Sequence, residues 1–145
     1  MSVAHGQKDW VYFGQDQGAT RYSTLDQITT ANVARLKRAW TFHTGDKAGF
    51  FESTPIVVDS VMYFSAGNGF YAVDAVTGTQ IWKVAATRTT RRGVSYWPGD
   101  AATPPRIIAS AGTKLLALDA KTGQPAPGFG TEGAVELDDT MNSPA

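Results

Sequence analysis

The sequence predicts an all-β fold of short strands grouped into four-stranded repeats, with one short helix near the N-terminus. Three observations carry that expectation. Fifteen glycines and seven prolines punctuate short apolar runs along the 145 residues, the composition of many strands joined by tight turns and not of a helical bundle. Phe70-Tyr71-Ala72-Val73-Asp74-Ala75-Val76-Thr77-Gly78 matches Leu115-Leu116-Ala117-Leu118-Asp119-Ala120-Lys121-Thr122-Gly123 at a spacing of 45 residues, the period of a β-propeller blade. Trp82 closes the first copy, and Trp40 stands 42 residues before it, again about one blade away.

Taken in order, the elements begin with a lead-in over residues 9–40. Within it the spacing predicts the single helix over residues 31–38: the stretch avoids Gly and Pro, Thr30 can cap it, and Val33, Leu36 and Trp40 recur at i, i+3 and i+7. Such a helix would cover a sheet edge or a propeller face. The period then changes to two, or to short continuous apolar runs, over residues 38–44, 54–58, 61–66, 70–73 and 80–84. Asp59-Ser60 and Gly67-Asn68-Gly69 separate three of these as turns, so they read as a meander of antiparallel strands. Residues 106–110 and 114–118 flank Ala111-Gly112-Thr113 with the same grammar.

Each repeat ends in Asp-x-x-Thr-Gly. The aspartate can bond backbone amides within the turn, and the glycine supplies the positive φ that returns the chain for the next strand. Trp82 offers a flat apolar plate to a neighbouring blade. The second copy departs: Gln124-Pro125-Ala126-Pro127-Gly128-Phe129 inserts prolines and puts Phe129 where a tryptophan is expected. The chain therefore divides into the lead-in, a first blade over residues 41–84 and a second, irregular blade over residues 85–145. Propellers close with about four to eight blades of some 40 to 50 residues. Two blades cannot close a ring, so the chain reads as a partial propeller whose open edges call for missing sequence, other copies or strand exchange.

Bulk properties exclude some functions. The formal charge is zero, with no global pull toward nucleic acid or anionic membrane. Lys83, Arg88, Arg91, Arg92 and Arg106 cluster, as do Glu132, Glu136, Asp138 and Asp139; both runs suit a solvated surface, and the arginines also suit an anion pocket. Nucleic-acid binding through residues 88–92 lacks a stacking platform. With no cysteine there is neither a disulfide nor a thiolate metal site. No apolar run is long enough to span a bilayer, and residues 1–9 lack a signal-peptide pattern, which leaves a cytoplasmic protein or one whose targeting segment has been removed.

Two further stretches exceed what a generic blade needs: Tyr12-Phe13-Gly14-Gln15-Asp16-Gln17-Gly18-Ala19-Thr20-Arg21-Tyr22-Ser23 and Arg91-Arg92-Gly93-Val94-Ser95-Tyr96-Trp97. With Asn32-Val33, Leu36, Ala39-Trp40 and the Asp-x-x-Thr-Gly turns, they resemble the N-terminal part of the quinoprotein alcohol and membrane-type glucose dehydrogenases. Arg-Gly-Val-Ser-Tyr and Pro105-Arg106-Ile107-Ile108 look most similar to the glucose branch. The resemblance implies an eight-bladed propeller in the periplasm. It would hold pyrroloquinoline quinone (PQQ) and, in the full-length parent, calcium, take electrons from an alcohol or aldose, and pass them to an acceptor.

On that resemblance Glu52, in Phe51-Glu52-Ser53-Thr54-Pro55, and Arg92, before Gly93, match cofactor-binding positions. An arginine suits a cofactor with three carboxylates and an ortho-quinone, because its fork of donors pairs with carboxylates and stabilises developing negative charge. Glu52 would have to accept from a ring N–H or from an arginine. Without the resemblance, Arg92 reads as half of a blade-edge ion pair and Glu52 as an exposed loop residue. Trp97 is read as core in preference to a stacking floor, and His5 and His43 as packing or surface residues without partners at metal spacing. Many alcohol-oxidising members carry adjacent cysteines a few residues before the Arg-Gly; Ala86 and Thr87 stand there, which weighs against the alcohol branch. No catalytic base or metal ligand is assigned within these residues.

The expected function is a contribution to the cofactor wall of a dehydrogenase, inactive alone, with self-association possible through open blade edges. The alternative is a non-catalytic propeller scaffold or protein-binding module, which would have no need of Glu52, Arg92 or the Gln15-to-Ser23 stretch of the lead-in.

Overall fold

The apolar runs after residue 54 fold as two consecutive antiparallel meanders in a computed structural model that describes residues 9–47 and 51–137. The first sheet holds β1 (Ile56–Val58), β2 (Val61–Ala66), β3 (Gly69–Asp74) and β4 (Gln80–Ala85), paired in that order. The second holds β5 (Ser95–Trp97), β6 (Arg106–Ala111), β7 (Lys114–Asp119) and β8 (Ala134–Glu136), also in order. These are two four-stranded blades. Registers follow the turns foreseen: Val58 faces Val61 around Asp59-Ser60, and Ala66 faces Gly69 around Gly67-Asn68. Asp59 and Ser60 both take positive φ, 48° and 64°, the pair of left-handed residues that a two-residue hairpin requires.

The repeated turn works through its aspartate. Asp74 Oδ1 accepts the amides of Val76 and Thr77 and the Thr77 hydroxyl at 2.9, 2.7 and 3.0 Å, and Asp119 does the same with Lys121 and Thr122. Those bonds from Thr77 hold the Asp74 carboxyl below its ordinary pKa. Gly78 and Gly123, at φ 74° and 72°, close the turns, and each lies beneath an indole. A Cβ on Gly123 would come within 2.9 Å of the Trp82 ring, whose Nε1 donates to Ala120 O at 2.9 Å. A Cβ on Gly78 would come within 2.6 Å of the Trp40 ring, whose Nε1 donates to Ala75 O at 3.1 Å.

Both faces of β3 are buried, and this places the core. Phe70 and Ala72 join Ile56, Val58, Tyr63 and Trp82 against Ile107, Ala109, Leu118 and Ala120 of the second sheet, with Val11 completing the layer. Tyr71 and Val73 point the other way and join Phe64 and Ala66 beneath Trp40 and Phe42. Phe42 meets Phe64 and Tyr71 edge-on, with ring centroids 5.8 and 5.6 Å away. Burial alternates through residues 40–47, as a strand requires, but this segment makes no ladder with any described residue. Trp40 stands to Ala75 and Gly78 as Trp82 stands to Ala120 and Gly123. Residues 38–44 thus hold, against the first sheet, the place that β4 holds against the second.

Several expectations need correction. The helix over residues 31–38 is one 3-10 turn, Val33–Arg35, and Thr30 does not cap it. Asn32 instead accepts the Thr29 amide at 2.7 Å and donates to Gln27 O at 2.7 Å, a local turn that competes with helix. Val33 and Leu36 are 49% and 58% exposed, so no tertiary packing supports a longer helix, and the turn covers no sheet face. Trp97 is not core: it lies on the edge strand β5, 36% exposed, with the Arg106 guanidinium over its ring at 5.6 Å. The strand foreseen over residues 38–44 is extended but unpaired among the described residues. His5, Asp138, Asp139 and residues 141–145 lie outside the described residues.

Candidate functional site

Glu52 and Arg92 occupy equivalent places in successive blades. Each sits just before the first strand of its sheet, Glu52 ahead of β1 and Arg92 ahead of β5. Two sets of contacts bind these lead-ins together. Gly93 is buried at φ 94°, where a Cβ would stand 2.6 Å from Thr54 O, so only glycine lets the Arg92 segment lie against the Glu52 segment. Ser53 and Ser65, both buried, share a hydroxyl hydrogen bond of 3.1 Å, Ser53 Oγ accepts the Ser65 amide at 3.2 Å, and Ser65 Oγ donates to Thr90 O at 2.7 Å. Thr89 Oγ1 donates to Ala66 O at 2.6 Å, and the Thr90 amide donates to Ser110 O at 2.8 Å. The crossover between the blades is therefore tied to both sheets.

Two concavities flank this crossover. One, of about 210 Å³, is lined by Glu52, Ser53, Ser65, Arg88, Thr90 and Arg91 among others. The second, of about 290 Å³, is lined by Arg92 with Phe13, Gly93, Ser95 and Ser110 among others. Thr90 borders both, so Glu52 and Arg92 face adjoining hollows and not one. Phe13 comes from the lead-in, where Asp16 accepts the Thr20 amide and hydroxyl at 3.0 and 2.7 Å and Arg21 lies over the Phe13 ring at 5.3 Å. Those bonds hold the Asp16 carboxyl below its ordinary range. The lead-in thus folds a defined loop beside Arg92.

The basic run of the sequence divides in space. Arg88, Arg91 and Arg92 gather at the two concavities. Lys83 instead sits over the Tyr71 ring at 5.1 Å, and Arg106 donates to Pro127 O at 2.6 Å. Among the described residues Arg92 does not form the blade-edge ion pair considered for it, whereas Lys114 pairs with Glu136 at 3.1 Å. His43 is exposed, on a separate open groove of about 740 Å³ along residues 38–46. Among the described residues no three His, Cys, Asp or Glu side chains converge as a metal site. Sequence reasoning missed the Ser53–Ser65–Thr90 network, while Arg88 stood only within a basic run that also suited an anion pocket. The signal was available in Ser65, a hydroxyl inside the apolar run of β2, since a buried polar group must find a partner.

Residues 10–145 match the family model described as PQQ glucose/ethanol/alcohol dehydrogenase, β-propeller domain. Quinohemoprotein alcohol dehydrogenase of Comamonas testosteroni is 38% identical over 128 residues, covering 80% of this chain and 17% of its own. Methanol dehydrogenase [cytochrome c] subunit 1 of Methylobacterium organophilum is 34% identical over 139 residues, 86% of this chain and 22% of its own. The crystal structure of the Comamonas testosteroni enzyme superposes with a TM-score of 0.70 at 36% identity, covering 83% of this chain and 19% of that one. The chain thus spans about a fifth of the length of these relatives.

Proposed function

The chain belongs to the PQQ-dependent glucose, ethanol and alcohol dehydrogenase family, within its β-propeller domain, and from that membership we propose that it forms part of the cofactor wall of a periplasmic dehydrogenase. The substrate is an alcohol or an aldose, and the chain alone is inactive. The supporting observation is the convergence of the Glu52 and Arg92 segments, locked by Gly93 against Thr54. A scaffold has no use for two charged residues brought to adjoining hollows between blades.

The residues present fit a polyanionic quinone. Three guanidiniums and the Thr90 hydroxyl border the hollows, against a single carboxylate from Glu52. When bound, the quinone supplies the two-electron acceptor for oxidation of a CH–OH group. Arg92 would hold a carboxylate or quinone oxygen with paired hydrogen bonds, where its charge would stabilise negative charge. Glu52 would accept a ring N–H or orient an arginine. Thr54 and Gly93 hold the two lead-ins close together, so the backbones that carry these side chains are positioned before anything binds. Calcium and the catalytic base belong to parts of the full-length protein outside this chain, as does delivery of electrons to an acceptor. An incomplete ring excludes water poorly and leaves blade edges that invite self-association.

The test is dye reduction with ethanol and glucose in the presence of PQQ and calcium. The full-length protein is expected to turn over and the 145-residue chain is not. Enzyme-like turnover by the isolated chain would overturn its assigned inactivity. Absence of PQQ-dependent turnover in the full-length protein would overturn the dehydrogenase reading.

A further inference from the structure

Arg88 is a cation whose backbone is held in place and whose side chain has no acidic partner among the described residues. Its carbonyl accepts the Gly112 amide at 2.9 Å from the second sheet, and the next residue, Thr89, bonds Ala66 O at 2.6 Å in the first. Between these anchors Arg88 takes φ 54°, a left-handed conformation that a long side chain adopts only when its surroundings impose it. Its side chain lines the hollow of about 210 Å³ together with Glu52, Ser53 and Arg91. Among the described residues, no carboxylate forms an ion pair with Arg88. Arg88 thus brings to the hollow a positive charge that no carboxylate among the described residues pairs with.

We propose that Arg88 is a carboxylate-recognition residue of the Glu52 hollow, additional to Arg92. The proposal rests on the dehydrogenase reading above. A planar guanidinium donates a fork of N–H groups that matches a carboxylate. The carboxylate has two possible sources, the quinone itself or a hydroxy-acid substrate, and the two arms of the experiment separate them.

The variants are Arg88→Gly and Arg88→Lys in the full-length dehydrogenase. Glycine accepts φ 54° without strain, so Arg88→Gly is expected to fold and to melt close to the parent. One arm titrates PQQ into apoprotein and follows tryptophan fluorescence. The other measures KM for a hydroxy acid and for a neutral alcohol. Loss of a charge-assisted fork predicts a drop of about 10- to 100-fold. A drop in PQQ affinity assigns the cofactor's carboxylate. A rise in KM for the hydroxy acid alone assigns the substrate's. Arg88→Lys is expected to recover part of either loss, because it keeps the charge and loses the fork.

Parental values in both arms for Arg88→Gly would overturn the proposal while leaving the dehydrogenase reading intact. If the parent shows no PQQ-dependent turnover, the dehydrogenase reading fails. Arg88 is then judged by citrate binding to the apoprotein: a loss of about tenfold or more in Arg88→Gly supports carboxylate recognition, and equal binding overturns it.

Discussion

At the scale of single residues, the positions that matter most to the site carry little or no charge. Gly93 joins the two lead-ins because any Cβ would press on Thr54 O at a φ of 94°. Gly93→Ala is expected to cost about 2 to 3 kcal/mol, from left-handed strain plus the displaced Thr54 segment, measurable by urea denaturation. Tyr63 gives a pH prediction. Burial, with Tyr96 and two acidic groups nearby, pushes its hydroxyl up to about 12 from 10. A group whose pKa is higher in the folded state contributes stability fully below pH 10 and loses it as pH rises toward 12. Tyr63→Phe is expected to flatten that alkaline decline in a melting series between those values. Glu52 and Arg92 could be singled out from sequence only through family likeness, whereas Arg88, one of a basic run in the sequence, is set apart only when the fold brings it to the same hollow as Glu52.

Among elements, legibility tracked the length and apolar density of each strand. The runs at residues 61–66, 70–73, 80–84, 106–110 and 114–118 could be read because apolar and β-branched residues crowd them, and they became β2, β3, β4, β6 and β7. β5 and β8, three residues each with no buried position, carry no such pattern and were missed. The helix failed for the converse reason: its i, i+3, i+7 spacing was present, but the surface it needed was not. Leu36→Asp is accordingly expected to change stability by less than about 0.5 kcal/mol, since the side chain is already in water. Trp82 is the opposite case, 7% exposed with its indole on the second sheet's turn. Trp82→Ala is expected to cost about 3 to 5 kcal/mol by calorimetry, and Trp82→Phe less.

For the whole molecule, the strand-like segment over residues 38–44, unpaired among the described residues, leaves a main-chain edge to recruit a partner. The isolated chain is expected to self-associate with concentration in sedimentation experiments, and Thr41→Pro to reduce that association by removing an edge amide. Unchanged association in that variant would place the contact elsewhere. The indole–glycine contacts bear on a different property, the direction in which stability is shared. Trp40 rests on a glycine further along the chain, and Trp82 on one further still, so each segment leans forward on its successor. Coupling between neighbouring repeats is common, but here it has a polarity. Gly123 belongs by sequence to the second sheet, yet its damage is felt first in the sheet that holds Trp82. A chain shortened from its C-terminal side past Ala120 would strip the earlier blade of both its hydrogen-bond acceptor and its platform, whereas trimming the lead-in before Trp40 would leave the Trp82 contact whole.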